Sequence, residues 1–115
     1  MQIEVKGRNV PVNDELRELV ERKFRKVAAQ VSDLARMEVE LREERNPKIA
    51  ESQLAAVTLY LKRVTLHAEC SSREMPHAIR LCSDELARQV KRDRDKRRRR
   101  REARSAQAQP AQPTS

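Results

Sequence analysis

Apolar and polar positions alternate along this chain with two different periods, and the switches between periods mark its elements. From Met1 to Gly7, Ile3 and Val5 alternate with Gln2, Glu4 and Lys6, the two-residue period of a half-buried strand. Gly7-Arg8-Asn9 breaks the run, and Pro11 keeps Val10 out of helical geometry. Asn13 offers an N-cap, with Asp14 and Glu15 placed against the positive end of a helix dipole. Leu16, Leu19, Val20, Phe24, Val27, Ala28 and Val31 follow at helical spacing, one apolar stripe over about five turns.

Ser32-Asp33 interrupts that helix. Met37, Val39 and Leu41 then alternate with Glu38, Glu40 and Arg42, a second strand with one wet face. Glu43 to Ser52 is polar, contains Asn46-Pro47 and reads as a loop. Leu54 to Leu61 carries Ala55, Val57, Leu59 and Leu61 on one side. After a short turn at Lys62-Arg63, Leu66, Ala68 and Cys70 alternate with Thr65, His67 and Glu69, which predicts a hairpin. Ser71 to Glu74 ends the sheet, and Pro76 suits the first turn of a second helix. Ala78, Ile79, Cys82, Leu86 and Val90 form its apolar stripe.

Beyond Val90 the stripe fails: residues 91–104 offer only Ala103 as an apolar group. Mutual repulsion from Arg97 to Arg101 predicts a frayed helix or a disordered arm. From Ser105 the chain is a low-complexity tail of Ala, Gln, Pro, Thr and Ser. The expected class is therefore α+β, in the order β-α-β-β-β-α. A four-stranded sheet would carry two parallel helices on one face. Residues 1–97 form one domain in this reading, and residues 98–115 a basic, then low-complexity, disordered tail.

Composition narrows what such a domain can do. The chain has 115 residues, 37% hydrophobic and 38% charged, so its core is small and its surface heavily charged. It holds no apolar run able to span a bilayer and no signal-peptide stretch; a cytosolic location is expected. Cys70 and Cys82 lie twelve positions apart and read as small buried thiols in a reducing compartment. With His67 and His77 they match no zinc spacing, so neither metal nor cofactor is expected. The net charge is +8, unevenly spread. Met1 to Ala87 holds 15 basic against 15 acidic residues, whereas Arg88 to Arg104 holds 11 against 3. A stretch of that kind seeks a polyanion.

The helical wheel sets Arg22, Arg25 and Lys26 opposite the first apolar stripe, with Lys23 at its edge. Arg80, Arg88, Lys91 and Arg94 lie opposite Ile79, Leu86 and Val90 on the second helix. Cations on an outer helix face often do no more than solvate it, and Glu18, Glu21 and Asp84 sit among these. The segment from Arg88 onward is too basic for that account. It has no bulky apolar residue to enter lipid, which argues against a membrane. Aromatic residues are two, Phe24 in the stripe and Tyr60, too few to grip an unstructured single strand. Backbone contact with folded RNA remains.

Catalysis finds no footing. Gly7 is the only glycine, which excludes a phosphate-cradling loop and a dinucleotide fingerprint, and no Ser-His-Asp or Cys-His arrangement can be assembled. Glu38 and Glu40 read as solubilising groups on the open sheet face. A ribosome-directed hydrolase would need a Gly-Gly-Gln loop, and the chain contains no Gly-Gly. A non-enzymatic protein without a small-molecule substrate is expected.

Several ordered pieces resemble a known family. They are Gly7-Arg8-Asn9-Val10, Leu16-Arg17-Glu18, Lys23-Phe24-x-Lys26, Ala56-Val57-Thr58-Leu59, Leu66-His67-Ala68, Glu74-Met75, Ala78-Ile79 and Asp84-x-Leu86-Ala87-Arg88-Gln89-Val90. Together they resemble the ribosome hibernation-promoting factor and ribosome-associated inhibitor family, related to the sigma-54 modulation proteins, over about Met1 to Arg97. The resemblance implies the β-α-β-β-β-α fold with its helices side by side. It also implies binding to the small ribosomal subunit and its ribosomal RNA in the messenger and transfer RNA channel, which silences translation and protects idle ribosomes. By position it implies RNA contacts from Arg17, Lys23, Lys26, Arg88, Arg92, Arg94 and Lys96; Arg22, Arg25, Arg80 and Lys91 come from the wheel alone. Glu74-Met75-Pro76 stands where the family usually has Asp-Met-Tyr, while Arg80 replaces a frequent acid and Glu85 a frequent Lys. The polar tail predicts a short form without a dimerisation domain. The rival readings are a general double-stranded-RNA or RNA-chaperone module, and an adaptor using Glu38, Glu40, His67 and Glu69.

Overall fold

A computed structural model describes residues 1–108. Its elements are β1 (Gln2–Arg8), α1 (Asp14–Ala28), β2 (Arg36–Glu43), β3 (Gln53–Tyr60), β4 (Thr65–Ser72) and α2 (Met75–Ala108). The expected order and class are observed. The four strands form one sheet in the order β1-β2-β3-β4. β1 and β2 are parallel and joined through α1, while β2–β3 and β3–β4 are antiparallel.

Local chemistry sets the boundaries. Asn13 caps α1 from an extended conformation, its Oδ1 accepting from the Leu16 N–H at 2.8 Å. At the other end, Gln30 and Val31 donate to the carbonyls of Val27 and Ala28, tightening the last turn. Val31, expected within the helical stripe, therefore lies beyond α1, although it still packs against the core. Gly7 is required by close approach: a Cβ there would sit 2.3 Å from the Val10 carbonyl oxygen and 2.6 Å from Val12 Cγ2. Asn9 completes this bend with φ 61°, a left-handed conformation that Asn adopts more readily than most residues. Between β4 and α2, the buried Ser72 accepts from the Glu74 N–H at 3.5 Å, and its hydroxyl lies 2.7 Å from His77 Nδ1.

Register puts the alternating apolar residues in rows across the sheet. Val39, Val57 and Ala68 are aligned, flanked by Met37, Leu59 and Leu66 on one side and Leu41, Ala55 and Cys70 on the other. Against these rows pack Val20, Phe24, Val27 and Ala28 of α1 with Met75, Ala78, Ile79, Cys82, Leu86 and Val90 of α2. Both helices leave the same end of the sheet, where Arg8 aligns with Arg42, and Glu43, Gln53 and Ser72 align one residue further on. They run back across one face in the same direction, next to each other.

Of the two alternatives for the basic segment, a frayed helix or a disordered arm, the described residues show a helix. No break divides residues 1–97 from the basic segment beyond them, because α2 runs on without interruption to Ala108. Repulsion among Arg97 to Arg101 is offset within the helix itself. Arg97 pairs with Asp93, and Arg98 with Asp95 at 3.9 Å, favourable i,i+4 and i,i+3 geometries. Arginine is also among the better helix formers. The expectations for Gln109 to Ser115 lie outside the described residues.

Candidate nucleic-acid interface

Both helices carry exposed cations, with Glu18, Glu21 and Asp84 exposed among them. Arg17, Arg22, Arg25 and Lys26 on α1 are exposed, and Lys23 is half-buried at the edge of the stripe. On α2, Arg80, Arg88, Lys91, Arg92, Arg94 and Lys96 are all exposed.

The structure does not bring all of these together. The flank of α2 bearing Glu85 and Gln89 overlies β4, since Gln89 Nε2 donates to the His67 carbonyl at 2.8 Å. Arg88 and Arg92 stand beside this flank, and Glu85 holds both, at 3.0 Å and 3.3 Å. The other flank meets the loop after α1, where Arg94 lines a cleft with Gln30, Val31 and Ser32. At 100° per residue, Arg80, Lys91 and Arg94 fall towards that flank. They stand on the side of α2 nearer α1, with the exposed Asp84 among them. Among the described residues no ion pair involves Arg17, Arg22, Lys23, Arg25, Lys26, Arg80, Lys91, Arg94 or Lys96. The helical wheel, being blind to partners across a helix turn, groups Arg88 with the free cations.

Glu85 is the acid that matters most here. Hydrogen bonds from Arg88 and Gln89 hold its carboxyl below the usual carboxylate range, despite some opposing desolvation. It stays ionised at neutral pH and competes with any phosphate for both arginines. Asp84, by contrast, points outward without such partners.

The opposite face of the sheet carries cross-strand polar contacts. Arg42 bridges Glu40 at 3.3 Å and Glu69 at 2.9 Å, and Thr58 Oγ1 lies 3.0 Å from His67 Nδ1. Tyr60, the one candidate for stacking on a base, lies here: Arg36 sits over its ring at 4.5 Å and its hydroxyl donates to Glu38 at 3.2 Å. The stacking candidate thus faces away from the helix cations and is already occupied. Glu38, Glu40, His67 and Glu69, the residues of the adaptor reading, each have a polar partner on this face.

Cys82 is buried, its Sγ 3.5 Å from the Ala68 carbonyl oxygen, and burial pushes its thiol up to about 12. Cys70, expected to be buried, is only partly so; desolvation and the nearby Glu85 raise it too. Both are free thiols, and neither has the depressed pKa of a nucleophile.

A family model described as sigma 54 modulation protein / S30EA ribosomal protein matches residues 3–98. The chain belongs to this family. The ribosome hibernation promoting factor of Salmonella typhimurium is 32% identical over 96 residues, covering 84% of this chain and 96% of that protein. The ribosome hibernation promotion factor of Picosynechococcus is 28% identical over 97 residues, 84% of this chain. The chain spans about half the length of that relative, 50%. Among solved structures, the Thermus thermophilus protein Y N-terminal domain superposes with a TM-score of 0.68 at 26% identity, covering 80% of this chain and 98% of that one. A ribosomal subunit interface protein from Coxiella burnetii gives 0.71 at 19% identity, covering 83% and 99%; at that identity the likeness speaks for the fold.

The family match ends at residue 98, while α2 continues to Ala108. Sequence alone makes the cations of that extension an undirected arm. Their helical spacing is a signal that a linear reading contains, and their position relative to the sheet is not.

Proposed function

We propose that this protein is a non-enzymatic, cytoplasmic ribosome hibernation factor. It occupies the messenger and transfer RNA channel of the small ribosomal subunit and thereby silences and protects idle ribosomes. The observation that carries this reading is the pair of co-directional helices on one sheet face, both presenting exposed Arg and Lys outward. The names of the relatives support it. Cations without available stacking aromatics suit backbone and shape recognition of folded RNA, in which phosphate contacts fix position. Inhibition then follows from occupancy, with no bond made or broken.

Binding to small subunits should weaken steeply with salt, with a log–log slope of about −0.7 to −0.9 per phosphate contact. Arg88→Glu combined with Arg92→Glu should release the protein from small subunits in a sedimentation assay. Its melting temperature should stay within a few degrees, because exposed ion pairs contribute about 1 kcal/mol or less. Unchanged co-sedimentation would remove the Arg88 and Arg92 flank of α2 from the interface, leaving Arg80, Lys91 and Arg94.

The absence of free aromatics on the helix side also favours a second reading, a general double-stranded-RNA or RNA-chaperone module. Competition separates the two. Excess duplex RNA strips a general binder from ribosomes and leaves a site-specific one in place.

A further inference from the structure

The stripe of α2 that packs on the sheet does not end where the sheet ends. Ile79, Cys82, Leu86 and Val90 are buried, and the same side of the helix continues through Asp93, Arg97, Arg100, Arg101 and Arg104 at three- and four-residue steps. Strands of eight residues reach about 26 Å at about 3.3 Å per residue, matched by roughly 18 helical residues at 1.5 Å each. A helix that starts at Met75 therefore passes the sheet's far end near Arg92, and Val90 is the last buried residue among those described. From there the former core side overhangs the turn between β3 and β4. Together they enclose an open cleft of about 470 Å³, whose cations are Arg63 from the turn and Lys96, Arg97, Arg100, Arg101 and Arg104 from α2. Among the described residues Asp93 is the only acid lining it, and it is paired with Arg97.

We propose that this cleft is a second RNA-binding site, holding a sugar–phosphate strand on the side of α2 opposite its outward cations. The inference rests on the RNA-binding reading for its class of ligand. It differs in place, since most of the cleft's cations lie outside the outward surface and four of its lining residues fall beyond or at the edge of the family match. Neighbours at three- and four-residue steps are about 5–6 Å apart on a helix. This spreads the charge along a line, as a chain of phosphates requires and a single small anion does not. Guanidinium groups also form charge-assisted, bidentate bonds to phosphate oxygens. Among the described residues Val64 is the only apolar one lining it, which gives a lipid surface little to embed in.

The experiment compares two pairs of substitutions within the same stretch of helix. Arg100→Gln with Arg104→Gln empties the cleft, whereas Arg98→Gln with Arg99→Gln removes equal charge from elsewhere on the helix. Binding of the full chain to a short mixed-sequence RNA duplex, and separately to purified small subunits, is measured across a salt series. The cleft pair should make the log–log slope shallower by about 1.5, or 0.7–0.9 for each phosphate that is no longer held. The control pair should change it by less than half as much. Arg63→Gln, which leaves α2 untouched, should flatten the slope by about half as much as the cleft pair. Equal losses from both pairs, or no change with Arg63→Gln, would overturn the cleft. If duplex binding shows the cleft effect while small subunits are not bound, the cleft stands and the ribosomal reading falls. If subunits bind and no cleft variant matters on either RNA, the reverse holds.

Discussion

The two halves of α2 share one helical stripe and use it in opposite ways. From Met75 to Val90 the stripe is apolar and buried against β3, β4 and α1. From Asp93 to Arg104 it is charged and open. Backbone geometry is continuous across the change, so the difference comes from what stands opposite. Where a sheet faces the helix, a cation would lose its hydration without compensation. Past the sheet's end the same direction leads to solvent, and arginines there keep their water or exchange it for a phosphate. A single helix can thus anchor a domain with one half and extend its ligand surface with the other.

This contrast makes graded predictions. The largest effect should come from Leu86→Ala, in the fully buried half. It should cost about 2–5 kcal/mol in denaturant unfolding, while Arg100→Gln in the overhang should stay within about 0.5 kcal/mol. A comparable loss at Arg100 would mean that the overhang is structural and would erase the distinction.

Next comes the boundary between the halves, where Glu85 holds Arg88 and Arg92. Glu85→Gln should release both arginines and tighten RNA binding several-fold at low salt. The gain should shrink as salt rises, since screening weakens exposed pairs. Weaker binding in this variant would show that Glu85 positions the arginines and does not compete for them.

A smaller effect is expected from pH. Cys82 has its thiol raised from 9.0 to about 12, so the unfolded chain ionises first. Stability relative to Cys82→Ala should be level below about pH 9 and decline as pH rises towards 12, read by urea midpoints of the two proteins. A parallel pair of curves would place that thiol in water. For Glu85, lowered in the folded state, the sign is reversed. Its contribution is present above the ordinary carboxylate range and lost as pH falls through its lowered value, and Glu85→Gln should abolish that small acid-side slope.

Much of this is legible from residues alone. Ile3 and Val5, Met37 to Leu41 and Leu54 to Ala68 announce the strands by their two-residue period, and Asn13 announces the helix start that its 2.8 Å bond confirms. These features depend on near neighbours in the chain, which a linear reading contains. The end of α1 falls one turn late, at Val31, in such a reading, because an apolar residue beyond a helix can still reach the same core.

The sequence by itself determined the order of elements, the inward rows and the concentration of positive charge after Ala87. Each follows from local periodicity or from counting. The three-dimensional structure decided which cations are paired and where the others stand. Glu85 captures Arg88 and Arg92 across helix turns, and Tyr60 is turned to the far face and covered by Arg36. The arginines after Arg97 gain a place because an eight-residue sheet is shorter than the helix that crosses it. The cover over Tyr60 and the overhang depend on distances between elements remote in sequence, which packing sets, whereas the Glu85 pairs lie within one helix.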